Sequence, residues 1–170
     1  LSVNMGKTLI AITGARNGGY RVTSPQVAST ALTVTLTSSS PSVDMLAPFT
    51  TTTAGAASIQ VTIPAGATQS GLFDVIGVAS GGVPGHVVGS TTIVASAPST
   101  ASGACPVVVT QSTFRWNTGN EHWTLAPIQY KLEIGDPNFG YGFRAAQTTE
   151  VTVLGADPMV VGSAMSVIPD

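Results

Sequence analysis

Charge is what this sequence has least of. Of 170 residues, six are Lys or Arg and eight are Asp or Glu, or 8%, where an ordinary soluble domain carries about 25%. Six scattered cations and a net charge of −2 make no patch able to neutralise a run of phosphates, which excludes nucleic-acid binding. The single cysteine, Cys105, excludes an intrachain disulfide and a thiolate-held metal cluster. It reads as a small buried hydrophobe, with an intermolecular disulfide as the alternative. Two histidines, His86 and His122, form no His-x-x-x-His zinc pair, and neither adjoins Cys105 to activate it. A Gly-x-Ser-x-Gly elbow and a Gly-rich phosphate loop ending in Lys-Ser/Thr are both missing. The expectation is therefore no enzymatic activity and no cofactor. No apolar run approaches the ~18 residues of a membrane span, and no Asn-x-Ser/Thr sequon offers an N-glycosylation site. The sequence opens at Leu1 without a charged and then apolar leader, which we read as a removed signal peptide or a trimmed chain.

What replaces charge is neutral and polar. The chain holds 23 Thr and 17 Ser beside an ordinary hydrophobic fraction of 43%, with 19 Gly and 11 Pro to make turns. Period-2 alternation recurs, the mark of strands with one buried face. Leu32, Val34 and Leu36 alternate with Thr33, Thr35 and Thr37; Ile59, Val61 and Ile63 with Gln60 and Thr62; Ile128, Tyr130, Leu132 and Ile134 with Gln129, Lys131 and Glu133. Thr suits the outer face because its branched Cβ favours extended backbone. Helical spacing is nowhere sustained. The predicted fold is all-β: an antiparallel β-sandwich with no helix beyond about two turns. Leu32, Val34, Leu36, Val61, Ile63, Phe73, Val75, Ile93, Tyr130, Leu132, Val151 and Val153 are expected to face inward.

Turns are expected at Gly18-Gly19, at 38–42, at Pro64-Ala65-Gly66, across 77–89 and at Asp136-Pro137-Asn138. Residues 98–103, rich in Pro, Ser, Ala and Gly, read as a linker. The two sides of it differ: residues 1–104 carry five charges and 105–170 carry nine, and seven of the ten aromatics lie in 114–143. This predicts a first sandwich over 1–97 and a second β segment over 104–170, which shares sheets with the first or with a neighbouring chain.

The segments "LTVTLTSSSPSV", "IQVTIPAGATQSGLFDVIGVAS" and "STTIVASA" resemble bacterial immunoglobulin-like (Big-type) extracellular repeat domains over roughly residues 18–97. In that family a strand ending in Ser/Asn-Pro precedes a "VPAGATSxxFxV" hairpin and a final strand. The resemblance implies an immunoglobulin-like sandwich and a non-catalytic role as a spacer, stalk, fibre subunit or surface decoration. Residues 104–170 do not match the repeat.

Three sets of residues are candidates for binding. Glu133, Asp136, Glu150 and Asn138 carry oxygens that suit Ca²⁺, but the Asp-x-Asp-x-Asp-Gly spacing is missing and a self-bonded turn is the simpler reading. Phe114, Trp116, Trp123, Tyr130, Phe139, Tyr141 and Phe143 form either a core or a stacking platform for a sugar ring, with Trp116 and Trp123 the candidate ligand-stacking residues. In Leu1-Ser2-Val3-Asn4-Met5 the apolar positions alternate from the first residue. Leu1, Val3 and Met5 are thus candidate partner-binding residues that add a strand to a neighbouring chain, unless they form the first strand of their own sandwich. Edges without Lys are poorly defended against such pairing. Three functions remain: a self-associating subunit of an extracellular or cell-surface fibre, sheath, surface layer or adhesin stalk; a phage virion decoration or structural protein; and a carbohydrate-binding module.

Overall fold

Neutral alternating segments can be stable only if each lays its apolar face on another sheet, and that requirement organises the chain. The computed structural model describes residues 1–49, 54–117, 131–136, 138, 140–145, 149–153 and 164–168, and side chains within 1–49, 54–112 and 138. The strands are β1 (Ser2–Val3), β2 (Leu9–Ile12), β3 (Ala15–Tyr20), β4 (Val22–Thr23), β5 (Leu32–Ser38), β6 (Asp44–Pro48), β7 (Ser58–Ile63), β8 (Phe73–Gly77), β9 (Val87–Ala97), β10 (Thr100–Thr110), β11 (Thr113–Asn117), β12 (Lys131–Asp136), β13 (Gly140–Ala145), β14 (Thr149–Val153) and β15 (Ala164–Ile168). Among the described residues the sole helical element is a 3₁₀ turn, Asn4–Gly6. The fold is all-β and mostly antiparallel.

Five strands form one sheet in the order β2-β10-β9-β5-β7, and six form another in the order β11-β12-β13-β3-β8-β6. Two short pairs, β1-β4 and β14-β15, complete the set. Within the five-stranded sheet β2 runs parallel to β10 and the other pairings are antiparallel. Register lines up the inward side chains: Leu36 lies opposite Ala95, which lies opposite Gly103, and Val34 lies opposite Val61. One continuous core joins these rows to Leu46, Phe73, Val75, Val22 and Val3 from the other side. Phe73 is fully buried, and the Tyr20 ring packs on it with centroids 6.0 Å apart and planes tilted by 52°, an arrangement aromatic quadrupoles favour. Strand β8 is buried at all five positions, so both faces of the six-stranded sheet are covered there.

Of the inward residues expected from alternation, Val34, Leu36, Val61, Ile63, Phe73, Val75 and Ile93 are buried. Leu32 is half-buried because it starts its strand at the sandwich end. Tyr130 lies outside the described residues; Leu132, Val151 and Val153 lie on described strands, but their side chains are outside that description.

Two turn and boundary expectations are corrected, and a third turn holds without closing a hairpin. Residues 98–103 are not a linker: Pro98 and Ser99 form a two-residue hairpin loop, with Ser99 at φ 56°, and Thr100 already pairs with Ala97. β10 then carries Cys105, Val107 and Val109 into the core of residues 1–97. The compositional change near residue 100 thus falls inside a hairpin, because inward positions of β10 are as apolar as those before it. Gly18-Gly19 is a bulge inside β3, where Gly18 pairs with Asp74 and Tyr20 with Phe73, leaving Gly19 unopposed at φ 89°. Pro64-Ala65-Gly66 does turn the chain, but β7 and β8 belong to different sheets. Bonds from the Ser24 amide to Thr68 O (2.8 Å) and the Ala28 amide to Ala67 O (2.9 Å) guide the crossing between them. The aromatic segment shares a sheet with the first part through β13, where Arg144 and Ala145 pair with Arg16 and Ala15.

Phe73→Ala empties the middle of the core and is expected to cost about 3–5 kcal/mol in denaturant unfolding. Gln60→Ala, on the exposed face of β7, is expected to stay within about 0.5 kcal/mol. Equal effects at the two positions would contradict the register.

Candidate functional site

The face of the five-stranded sheet that points away from the core follows from the same alternation. β2, β5, β7, β9 and β10 contain no Asp, Glu, Lys or Arg at any position. The outward rows are Thr33 opposite Thr62, Thr35 between Gln60 and Ser96, and Thr37 between Ser58 and Val94. Thr33, Thr37, Ser58, Gln60, Thr62, Ala104 and Pro106 are exposed. The Thr37 and Ser58 hydroxyls lie 3.2 Å apart, holding that row together. The exposed surface of an ordinary domain carries charges of both signs. This one presents a neutral surface of short hydroxyl and methyl groups, which lose little rotamer freedom when another surface covers them.

Leu1, Val3 and Met5 do not behave alike. Ser2 and Val3 pair antiparallel with Thr23 and Val22 of the same chain. Val3 is fully buried, and the Leu1 nitrogen donates to Ala101 O at 2.9 Å. Gly103 permits this docking, because a Cβ there would overlap the backbone of Leu1 and Ser2. The segment is therefore seated as the first strand of its own sandwich. Met5 breaks the alternation: it is 73% exposed. Asn4 (φ 46°), Met5 (φ 52°) and Gly6 (φ 77°) all take left-handed backbone. Gly and Asn tolerate it; a Met there stores about 1–3 kcal/mol of strain.

Buried charge is the feature the sequence least announced. Asp44 is fully buried. Its Oδ1 accepts a 2.7 Å bond from Ser38 Oγ, and among the described residues its Oδ2 has no hydrogen-bond partner. Burial pushes its carboxyl above the ordinary value of 3.8, and the Ser38 bond offsets part of that rise. Arg16 and Asp74 are buried on the other face of β3 and β8, away from the main core. Gly18 lies opposite Asp74, whose carboxylate occupies the space a Cβ at 18 would need. Asn17, on the same strand, accepts a bond from the Ile12 amide through Oδ1 at 3.1 Å. The available signal was positional: Asp74 sits between apolar residues of one short strand, and Asp44 closes a Ser-rich turn.

Cys105 is a free, buried thiol whose Sγ donates to Lys7 O at 3.1 Å, and burial raises its pKa. It is held as the neutral thiol. His86 is exposed in the loop after β8, where its amide donates to Val83 O at 3.1 Å and its carbonyl accepts from the Gln111 amide at 2.9 Å. Asn138 Nδ2 donates to Gly85 O at 3.0 Å, fastening the same loop. Asp136 ends β12, and the side chains of Glu133, Asp136 and Glu150 lie outside the described set, as does Pro137. Trp116 occupies a β11 position paired with Leu132, and Phe114, Ile134 and Phe143 form one row across β11, β12 and β13. Trp123 and His122 lie outside the described residues.

No family model matches the chain. No curated protein matches it. Among solved structures it is similar to "Structure of surface layer protein SbsC, domains 4-9", with a TM-score of 0.45 and 15% identity. That similarity covers 92% of this chain and 23% of the other, so the chain spans about a quarter of the length of that structure.

Because the folded state holds the Asp44 proton more tightly than the unfolded chain does, its contribution to stability is full below the unfolded pKa, near 4. That contribution is lost as pH rises through the folded value. Asp44→Asn removes the ionisation. Melting temperatures of the variant relative to the parent should therefore climb from pH 4 to pH 7.5, and parallel curves would contradict the assignment.

Proposed function

We propose that this chain is a non-catalytic structural module that self-associates in an extracellular or cell-surface assembly such as a fibre, sheath, surface layer or stalk. One observation carries the reading: a whole five-stranded sheet without a single charged residue, with its outer face open to contact. Packing two such neutral faces together desolvates no ion, which removes the main polar cost of covering them. The surface is also poor in the Lys and Arg that trypsin-like proteases cut, which suits life outside the cell.

The immunoglobulin-like character belongs to the same proposal. Strands β3-β8-β6 in one sheet and β5-β9-β10 in the other follow the B-E-D and C-F-G order of such sandwiches. β7 is then an added strand beside β5, inserted in the chain between β6 and β8.

The test is the molar mass of the chain by light scattering across a concentration series, beside a Thr33→Lys, Gln60→Lys double variant. These positions are diagonal neighbours on the outer face. The parent is expected to assemble, and the variant to stay monomeric with an unchanged circular dichroism spectrum. A parent that is monomeric throughout, or a variant that assembles equally, would overturn the proposal.

A further inference from the structure

The first strand is joined to the rest of the fold by little backbone pairing. β1 contributes two residues to a pair with β4 and belongs to neither large sheet. Its anchor, Val3, is nevertheless completely buried in the core, so the groove it fills cannot be left empty without a cavity. Between β1 and β2 lie three consecutive residues at positive φ, of which Asn4 and Met5 are not glycine. The turn is held by the Lys7 amide on Asn4 O (3.1 Å) and the Asn4 amide on Arg21 O (3.1 Å). Among the described residues, a weakly paired strand, a groove that demands an occupant and a strained connection occur together here.

We infer that β1 is an exchangeable strand, which opens at Asn4–Gly6 and docks in the vacated groove of a second copy of this chain. The groove is the Val22–Thr23 edge, floored by Gly103 and closed by Ala101 O. The incoming strand makes every contact the resident strand makes, because it is the same segment in the same groove. What differs is the connection. In the closed form Met5 is forced into left-handed backbone; in the open form residues 4–6 extend, reaching about 10 Å between molecules, and the strain is released. Exchange is favoured at high local concentration, where the entropy advantage of the closed form is smallest. This rests on the assembly reading above and names one contact that holds copies together.

The test is made on the 170-residue chain carrying Ser2→Cys and Thr23→Cys, which are register partners within disulfide reach, with Cys105→Ala removing the native thiol. Each sample is concentrated, oxidised and examined by non-reducing electrophoresis and light scattering. Met5→Pro, which forbids positive φ, should raise the interchain-linked fraction several-fold over the Met5 parent, and Met5→Gly should lower it several-fold. If Met5→Pro does not fold, the parent must still exceed Met5→Gly. Only intrachain links in assembled protein would overturn strand exchange and leave the neutral-face contact standing. Only intrachain links in protein that is monomeric at every concentration would overturn both.

Discussion

Everything in this fold depends on burying alternate residues of strands that carry almost no charge. With Thr, Ser and Gln on one side and Val, Ile and Leu on the other, each strand has a single way to satisfy its apolar face. It lies against another sheet, and a slip of one residue would expose the whole set. Val34, Leu36, Ile63, Ile93, Val107 and Phe73 meet at the centre for that reason. The same alternation dictates that the opposite face is neutral, so the core and the candidate contact surface are two consequences of one pattern.

The few charges that remain in the first 104 residues are placed unusually. Three of the five, Arg16, Asp44 and Asp74, are buried. In this part of the chain charge is placed inside while a sheet face is left bare. Removing one partner of such a buried polar contact is costly, because the other is left buried and unpaired. Gly18 admits the Asp74 carboxylate, and Ser38 holds Asp44 at the end of β5, so each group is tied to a particular neighbour.

Much of the fold was legible. Residues 32–37 and 59–63 announce their inward positions directly, since nothing but alternation operates there. The legible part ends where a local signal is overridden by pairing partners distant in sequence. Gly18-Gly19 looks like a turn, but β8 on its flank converts it into a bulge. Residues 98–103 look like a linker because small and turn-forming residues also suit a tight hairpin, and the parallel partner β2, nearly a hundred residues earlier, cannot be read from local composition. The site was legible in the same measure. The neutral face was implicit in the Thr spacing, whereas the left-handed turn at Asn4 and Met5 had no sequence signature, because Met is a residue no turn rule selects. The burial of Arg16 and Asp74 likewise required the register of β3 against β8.

The central claim is that the outer face of the five-stranded sheet is covered when copies meet. A single thiol placed by Gln60→Cys in a Cys105→Ala chain reports on that face, and one placed by Ser29→Cys, exposed in the segment before β5, serves as the control. On this account the thiol at position 60 becomes at least several-fold less reactive toward a thiol reagent as protein concentration rises into the assembling range, while that at position 29 is unchanged. Equal reactivity at position 60 in dilute and assembled protein would contradict it.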